Sequence, residues 1–231
     1  MSDEVPRVFV TGGTGYVGRR LIPVLQKQGC IVRALVRAGS ERKLPPGCEV
    51  VVGDALDRST FEHAIDADSA FIQLVGVAHP SPAKAQQFYD IDLVSAKASI
   101  DAAAARKVDH FIYVSVAQPA PVMKAYQLSR AIAEGHLAQS GLTYSVIRPW
   151  YVLGPGHRWP IVLKPFYWIA ERRPSWRSTA LRLGLVTIDQ MVATLALVVA
   201  APPRSSRILT VPDIRHTSLQ RLVTLPSSIK S

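Results

Sequence analysis

Four glycines fall within one short turn near the start of the numbered sequence. The turn spans 11–18 and contains Thr11, Gly12, Gly13, Thr14, Gly15, Tyr16, Val17 and Gly18. An apolar run at 8–10 precedes it, and a helical pattern at 19–25 follows it. Glycine lets the backbone turn sharply and approach phosphate oxygens, and a helix N-terminus supplies unpaired N–H groups and a positive dipole end. This order predicts a site for a dinucleotide diphosphate; a turn that serves only helix–strand packing is the alternative.

The residues after the second predicted strand indicate which dinucleotide the chain binds. An acidic side chain at this place would bind the ribose 2′-OH and favour NAD. The chain instead has Arg37, followed by Ser40, Arg42 and Lys43. Cations and a hydroxyl suit a 2′-phosphate, so the sequence favours NADP over NAD. A solvated basic loop is the alternative interpretation.

Two further strand ends carry candidate cofactor contacts. Asp54 and Ala55 follow the third predicted strand. The Asp54 carboxylate can accept a hydrogen bond from the adenine amino group, or it can cap the helix that follows. The fourth predicted strand ends in Val75 and Gly76. We expect this end to pass beside the cofactor, where a glycine permits close approach.

Strand and helix patterns alternate along the chain, and these elements must position the candidate residues. The predicted strands are 7–11, 31–37, 49–53, 70–76, 110–115, 143–148 and 208–211, and the predicted helices are 15–28, 83–106, 126–140 and 190–201. Asp189 is predicted to cap the last of these helices. Such alternation predicts an α/β fold of the Rossmann type, with a doubly wound parallel sheet and helices on both faces.

Several motifs, taken in order, resemble those of the short-chain dehydrogenase/reductase superfamily, and more closely its extended and atypical branches. The motifs are the 11–18 turn (TGxxGxxG), Gly53-Asp54 (an adenine site), Tyr113-Val114-Ser115 (a strand end with a serine), Ala125–Arg130 with Glu134 (a YxxxK helix) and 148–155 (RPxxVxGP). The resemblance covers nearly the whole chain. The chain is similar to compact atypical members, among them the NAD(P)-binding accessory subunit of respiratory complex I.

The resemblance implies roles for three side chains. In the family a tyrosine is the general acid or base, and a serine positions the substrate oxygen. A lysine one helical turn after the tyrosine holds the cofactor ribose and lowers the tyrosine pKa through its charge. Tyr126, Ser115 and Arg130 occupy these positions here. The last motif implies three contacts beside the nicotinamide, which are Pro149, Tyr151 and Val152.

Each of these roles has a structural alternative. Tyr126 can be a wall residue hydrogen-bonded to the cofactor ribose, and Ser115 can cap the following loop. Arg130 keeps the positive charge on the same helix face as Tyr126, but its planar fork is not equivalent to a lysine, and it can pair with Glu134 at i+4. The chain contains no asparagine, and Asp92 stands roughly where extended members often carry one.

The resemblance also divides the chain. It implies a dinucleotide-binding core over 1–156 and a small substrate lobe over 157–231, interleaved with the last core elements. Aromatic and apolar residues fill 159–170, and arginines follow at 172–182. We interpret this segment as lobe packing, as an apolar substrate pocket, or as a surface for lipid headgroups.

Composition limits the partners. Lys+Arg 27 against Asp+Glu 17 gives a net charge of +10, which suits a solvated basic surface, a membrane surface or an anionic substrate. No nucleic-acid motif is present, no metal site is predicted, and Cys30 and Cys48 are too few for a disulfide framework. The acidic start, 1–4, lacks the apolar region of a signal peptide, and no stretch is long and apolar enough to span a membrane. We therefore expect a cytoplasmic protein.

Two functions follow from these observations. The first is an NADP-preferring oxidoreductase that acts on a small, mostly apolar carbonyl or quinone-like substrate. The second is a non-catalytic NAD(P)-binding scaffold or redox-sensing subunit, which would need the glycine turn but neither Tyr126 nor Ser115.

Overall fold

Short apolar runs form the strands of one parallel sheet. The computed structural model describes residues 5–155 and 182–217. The strands are β1 Arg7–Thr11, β2 Ile31–Val36, β3 Glu49–Val52, β4 Ala70–Gln73, β5 His110–Val114, β6 Tyr144–Ile147, β7 Tyr151–Leu153, β8 Leu185–Thr187 and β9 Arg207–Leu209. Seven of them form a sheet in the order β3-β2-β1-β4-β5-β6-β9, while β7 and β8 form a separate pair. Each neighbouring pair is parallel, which confirms the predicted doubly wound sheet.

Helices connect the strands and cover both faces of the sheet. They are α1 Gly18–Lys27, α2 Ala85–Gln87, α3 Val94–Ala105, α4 Lys124–Gln139, α5 Ile188–Ala200 and α6 Val211–Arg215. The prediction of one unbroken helix over 83–106 is wrong. A 3₁₀ turn, Pro82–Lys84, precedes α2, and a π-helical turn, Phe88–Leu93, joins α2 to α3. Such a turn adds a residue to the helix and changes which side chains face the protein interior.

Two apolar layers hold the sheet between its helices. On one face α1 and α5 bury residues such as Leu21 and Leu195, and on the other α3 and α4 bury residues such as Ile100 and Leu137. Phe9, Phe71 and Phe111 are direct neighbours across β1, β4 and β5, and successive ring centroids lie 5.2 and 5.1 Å apart. This row of stacked rings favours one strand register, because a slip of one residue would turn the rings to the opposite face.

Two helix caps differ from the sequence-based expectations. Thr187 caps α5, since its hydroxyl accepts from the Gln190 N–H while the Gln190 side chain accepts from the Thr187 N–H. The predicted cap at Asp189 is therefore wrong. Asp57 accepts from the Ser59 N–H and caps the short 3₁₀ turn there, so the cap considered for Asp54 is wrong too.

About half of the proposed substrate lobe, 157–231, lies outside the described residues. The aromatic and arginine-rich segment at 159–182 falls, apart from Arg182, outside the described residues, and so does the tail at 218–231. Arg182 is described, and its Nε donates to the Pro119 carbonyl at 3.0 Å. Within 5–155 and 182–217, no helix has the length and apolar character needed to cross a bilayer.

A buried histidine near the edge of the sheet makes stability depend on pH. His110 is 1% exposed, its Nε2 lies 3.0 Å from the Ser145 hydroxyl, and Arg207 donates to that same hydroxyl. Burial, together with the nearby charge of Arg207, lowers the pKa of His110 to about 4. An unfolded chain would bind this proton near pH 6.5.

We therefore predict that His110 makes the free energy of unfolding fall as the pH decreases from about 6.5 to about 4, by up to roughly 3 kcal/mol. In this range the unfolded chain binds a proton that the native state excludes. Urea unfolding of the wild type and of His110→Gln at several pH values measures the effect. The difference between the two proteins should shrink toward acid pH; a difference that stays constant would contradict the prediction.

Candidate functional site

A cleft opens at the point where the strand order of the sheet reverses. The strands β1 and β4 are neighbours in the sheet, and the chain builds outward from them on both sides. In doubly wound sheets, ligands bind outside the carboxyl ends of the strands at such a point. A cleft of about 520 Å³ lies there. This volume falls within the range of small-molecule and cofactor sites.

The structure brings eight of the predicted cofactor residues together around this cleft. They are Gly12, Thr14, Gly15, Arg37, Asp54, Ala55, Val75 and Gly76. Lys84, Gln87 and Ile91 are among the lining residues that sequence reasoning missed. These residues lie within the irregular start of the helical segment, where a 3₁₀ turn and a π-helical turn interrupt the helix. A regular helical pattern therefore could not predict that they line the cleft.

The glycines of the turn are required by its geometry. Gly12 has φ +75°, and a Cβ there would stand 2.8 Å from the carbonyl carbon of Leu74. A Cβ on Gly18 would stand 2.6 Å from the Gly12 carbonyl oxygen. No side chain caps α1 at Val17, and its first turn contains no acidic residue. The turn therefore leaves room for an anion beside the helix N-terminus, and its residues fit a diphosphate.

Tyr16, in the same turn, lies against the last motif and is not among the residues that line the cleft. The Tyr16 hydroxyl lies so close to Gly154 that a Cβ on Gly154 would collide with it. Pro149 is buried, and its carbonyl accepts from the Ala117 N–H at 2.8 Å. The predicted cofactor contacts that do not line the cleft are Tyr16, Val17, Gly18, Tyr126, Arg130, Pro149, Tyr151 and Val152. Direct cofactor contact by these residues stays a prediction.

One end of the cleft carries cations and a carboxylate side by side. Arg37, Ser40 and Lys43 line it after β2, and Arg37 is exposed. Asp54 lies nearby at the end of β3, and its carboxylate accepts from the Leu56 N–H at 3.0 Å. A group of cations beside a single fixed carboxylate suits an adenosine that carries an additional phosphate.

Arg130 lies behind Tyr126 on α4, and it is almost completely buried. Tyr126 is half-buried; its ring centroid lies 4.9 Å from that of Phe88 and 5.1 Å from the guanidinium carbon of Arg130. Arg130 donates to Asp92 at 2.5 Å and to the Val114 carbonyl at 3.0 Å. The ion pair considered between Arg130 and Glu134 is therefore wrong, because Asp92 is the partner.

Ser115 belongs to a second polar cluster at the end of β5. Its hydroxyl donates to Glu134 at 2.5 Å. Arg148 donates to both oxygens of the same carboxylate, and Gln118 donates to one of them. Glu134 thus joins α4 to the ends of β5 and β6. A substrate contact by Ser115 stays a prediction, since this geometry directs the hydroxyl to Glu134.

Burial shapes the charge of the Arg130 cluster. Burial opposes the charge of Arg130, but electrostatic interactions with Tyr113, Tyr126 and Asp92 outweigh it and raise the pKa of Arg130. Burial also raises the pKa of Asp92, although the charge of Arg130 opposes this effect. For Tyr113, burial raises the pKa to about 12, so this phenol stays protonated at neutral pH. Arg130 therefore remains a cation within the protein interior.

The sheet order, the glycine turn and the cleft define a Rossmann-type dinucleotide-binding protein. The chain belongs to the NAD(P)H-binding family, whose model matches residues 12–159, within the extended and atypical short-chain dehydrogenase/reductases. NAD(P) is therefore its cofactor. The family membership confirms the resemblance that the motifs suggest.

Known proteins show how far the similarity extends. The chain is 31% identical over 176 residues to Protein TIC 62, chloroplastic, of Arabidopsis thaliana. This match covers 64% of this chain and 28% of that protein. It is also 31% identical over 121 residues to a 3 beta-hydroxysteroid dehydrogenase/Delta 5-->4-isomerase of Mycobacterium tuberculosis. This match covers 50% of this chain and 33% of that protein. The chain thus matches only about a third or less of the length of these relatives.

A solved structure shares the fold. The enzyme WbmH of Bordetella bronchiseptica, in complex with NAD+, superposes with a TM-score of 0.66 over 89% of this chain and 75% of that one. The two sequences are 18% identical, so the similarity concerns the architecture alone.

Proposed function

We propose that this protein is an NADP-preferring oxidoreductase that reduces a small, mostly apolar carbonyl or quinone-like compound. The arrangement of Tyr126 and Arg130 is the observation that carries this proposal. A half-exposed phenol stands at the start of α4, and a buried cation lies 5.1 Å from its ring. The name of the mycobacterial relative denotes a dehydrogenase of an apolar hydroxysteroid, which supports an apolar substrate.

Each side chain has a defined task in this proposal. NADPH supplies the hydride when it is bound. The Tyr126 hydroxyl donates a proton to the substrate oxygen, and the charge of Arg130 stabilises the phenolate that remains. The Gly12–Gly15 turn holds the diphosphate, and Asp54 accepts from the adenine amino group. Arg37 binds the 2′-phosphate together with Ser40 and Lys43.

Replacement of Arg37 by aspartate should reverse the cofactor preference. The substitution exchanges a phosphate-binding cation for a carboxylate that repels phosphate and accepts from a ribose hydroxyl. We predict that NADPH affinity falls by about a hundredfold while NADH affinity rises, because charge-assisted hydrogen bonds to the phosphate are lost. Calorimetric titration of both nucleotides measures the change.

Arg42 provides a control with the same change in charge. It is exposed and lies next to Lys43, but it is not among the residues that line the cleft. Arg42→Asp should change the affinity for either nucleotide by less than about threefold, as expected for a screened surface charge. An unaltered NADPH preference in Arg37→Asp would remove this residue as the 2′-phosphate contact.

A non-catalytic NAD(P)-binding scaffold or redox sensor is the second candidate. Two contacts favour it: the Ser115 hydroxyl donates to Glu134, and the Arg130 guanidinium donates to Asp92. Both groups of the implied catalytic set are thereby engaged by protein partners. Such a protein would bind NADP(H) with the same residues of the cleft and would show no reduction that depends on Tyr126.

A further inference from the structure

Asp92 joins two parts of the site that are separate in sequence. It lies in the π-helical turn and is 1% exposed. One carboxylate oxygen accepts from Arg130 at 2.5 Å, and the other accepts from the main-chain N–H of Val77 at 2.8 Å. Arg130 belongs to α4, whereas Val77 belongs to the segment after β4 that lines the cleft. One buried side chain thus connects the helix of Tyr126 to the wall of the cofactor cleft.

The wall segment lies directly against this pair. A Cβ on Gly76 would stand 2.5 Å from Arg130 Nη2 and 3.3 Å from Asp92 Oδ1. The Arg130–Asp92 pair therefore requires a glycine at position 76, because any side chain there would collide with Arg130. This packing is a different reason for the glycine from the close approach to the cofactor that the sequence alone predicts.

The same π-helical turn also contacts the proposed proton donor. Phe88, at its start, packs on Tyr126 with ring centroids 4.9 Å apart, and Asp92, four residues later, binds Arg130. A buried charge pair of this kind gives little net stability, but removal of one partner leaves an uncompensated charge and releases the groups that it held. The Asp92–Arg130 pair therefore serves mainly to hold its neighbouring groups in place.

We propose that Asp92 is a positioning residue that holds Arg130 and the Gly76–Val77 wall as one unit against the bound cofactor. This inference rests on the proposed NADP site. The strand order places the adenosine end of the cleft, with Arg37 and Asp54, at β2 and β3. The wall after β4 lies on the other side of β1, where the rest of the dinucleotide must extend. Asp92 therefore acts on the part of the cofactor beyond the adenosine.

Comparing the binding of two ligands distinguishes this positioning role from general support of the fold. NADPH spans the whole site, while 2′,5′-ADP carries only the adenosine and its phosphates. In Asp92→Ala, we predict that NADPH binding weakens by about tenfold while 2′,5′-ADP binding stays within about twofold of the wild type. Calorimetric titration of each ligand gives both values. Asp90→Ala is the matched control, because Asp90 lies in the same turn but is exposed.

Amide hydrogen exchange of the unliganded protein gives a readout that needs no cofactor. The Val77 N–H should exchange about tenfold faster in Asp92→Ala, because it loses a hydrogen bond to a charged acceptor. It should be unchanged in Asp90→Ala. If Asp92→Ala does not fold, Asp92→Asn serves instead. Its amide nitrogen cannot accept, so the contact to either Arg130 or Val77 must be lost, and for this variant the contrast between NADPH and 2′,5′-ADP binding decides alone.

The outcomes are distinct. Faster Val77 exchange together with a loss confined to NADPH supports the positioning role. Unchanged exchange overturns it, and so does an equal loss for both ligands, which would indicate support of the whole domain. A wild-type protein that binds neither ligand contradicts the proposed function, and the Val77 exchange rate then still reports whether Asp92 holds the wall.

Discussion

Replacement of Tyr126 by phenylalanine is expected to lower kcat for carbonyl reduction by about a hundredfold to ten-thousandfold, the usual contribution of a positioned general acid. The substitution removes only the hydroxyl. Phenylalanine keeps the ring contacts with Phe88 and with Arg130. NADPH affinity should therefore stay within about threefold, which corresponds to less than about 1 kcal/mol. Steady-state reduction of a panel of apolar ketones and quinones, with NADPH calorimetry, measures both quantities.

Tyr144 offers a control for this experiment. It lies on β6, away from the cleft, and its side chain lines a shallow hollow beside Glu134 and Arg148. Tyr144→Phe should leave turnover unchanged. Equal turnover in the wild type and in Tyr126→Phe would remove Tyr126 as the acid. Intact NADPH binding with no turnover in any variant would favour the scaffold or sensor function.

Replacement of Gly12 by alanine should damage both the fold and the cofactor site. The new Cβ would meet the main chain of Leu74 and Val75 at 2.8 and 2.9 Å, in a backbone conformation with φ +75°. The strain and the collision together should lower the free energy of unfolding by about 2–4 kcal/mol. The collision also forces apart the glycine turn and the wall after β4, so NADPH affinity should fall by about a hundredfold or more.

Gly135 provides the matched control for this substitution. It lies within α4, and a Cβ there would meet nothing within 4 Å. Gly135→Ala should raise the free energy of unfolding by roughly 0.5–1 kcal/mol, because alanine favours a helix, and should leave NADPH affinity unchanged. Urea unfolding and NADPH titration of both variants test the contrast. Similar NADPH affinities for Gly12→Ala and the wild type would show that the turn is not the diphosphate site.

Local patterns explain why much of the fold was predictable. The first strand matches the sequence prediction at both ends, because an apolar run followed by glycines leaves few alternatives. The fourth strand is shorter than predicted: it ends at Gln73, since the next residues leave the sheet to form the wall of the cleft. Hydrophobic pattern alone does not distinguish a buried strand from a buried loop that continues it.

Some residues of the site could likewise be predicted from the sequence, and others could not. Arg37 and Asp54 were predictable because each follows its strand directly, and the strand ends share one edge of the sheet. The Asp92–Arg130 pair joins residues 38 positions apart, and the orientation of Asp92 depends on a π-helical turn that periodicity does not show. The Ser115–Glu134 contact similarly spans 19 positions between a strand end and a helix.

The most direct test of the proposed NADP site is calorimetric titration of NADPH, NADH, NADP+ and NAD+ into the purified protein. We predict dissociation constants that are roughly micromolar for the phosphorylated pair and at least about tenfold weaker for NADH and NAD+. This result would establish the cofactor preference that Arg37, Ser40 and Lys43 imply. Binding of none of the four nucleotides would contradict the proposed site, because the glycine turn would then serve only the packing of α1 against the sheet.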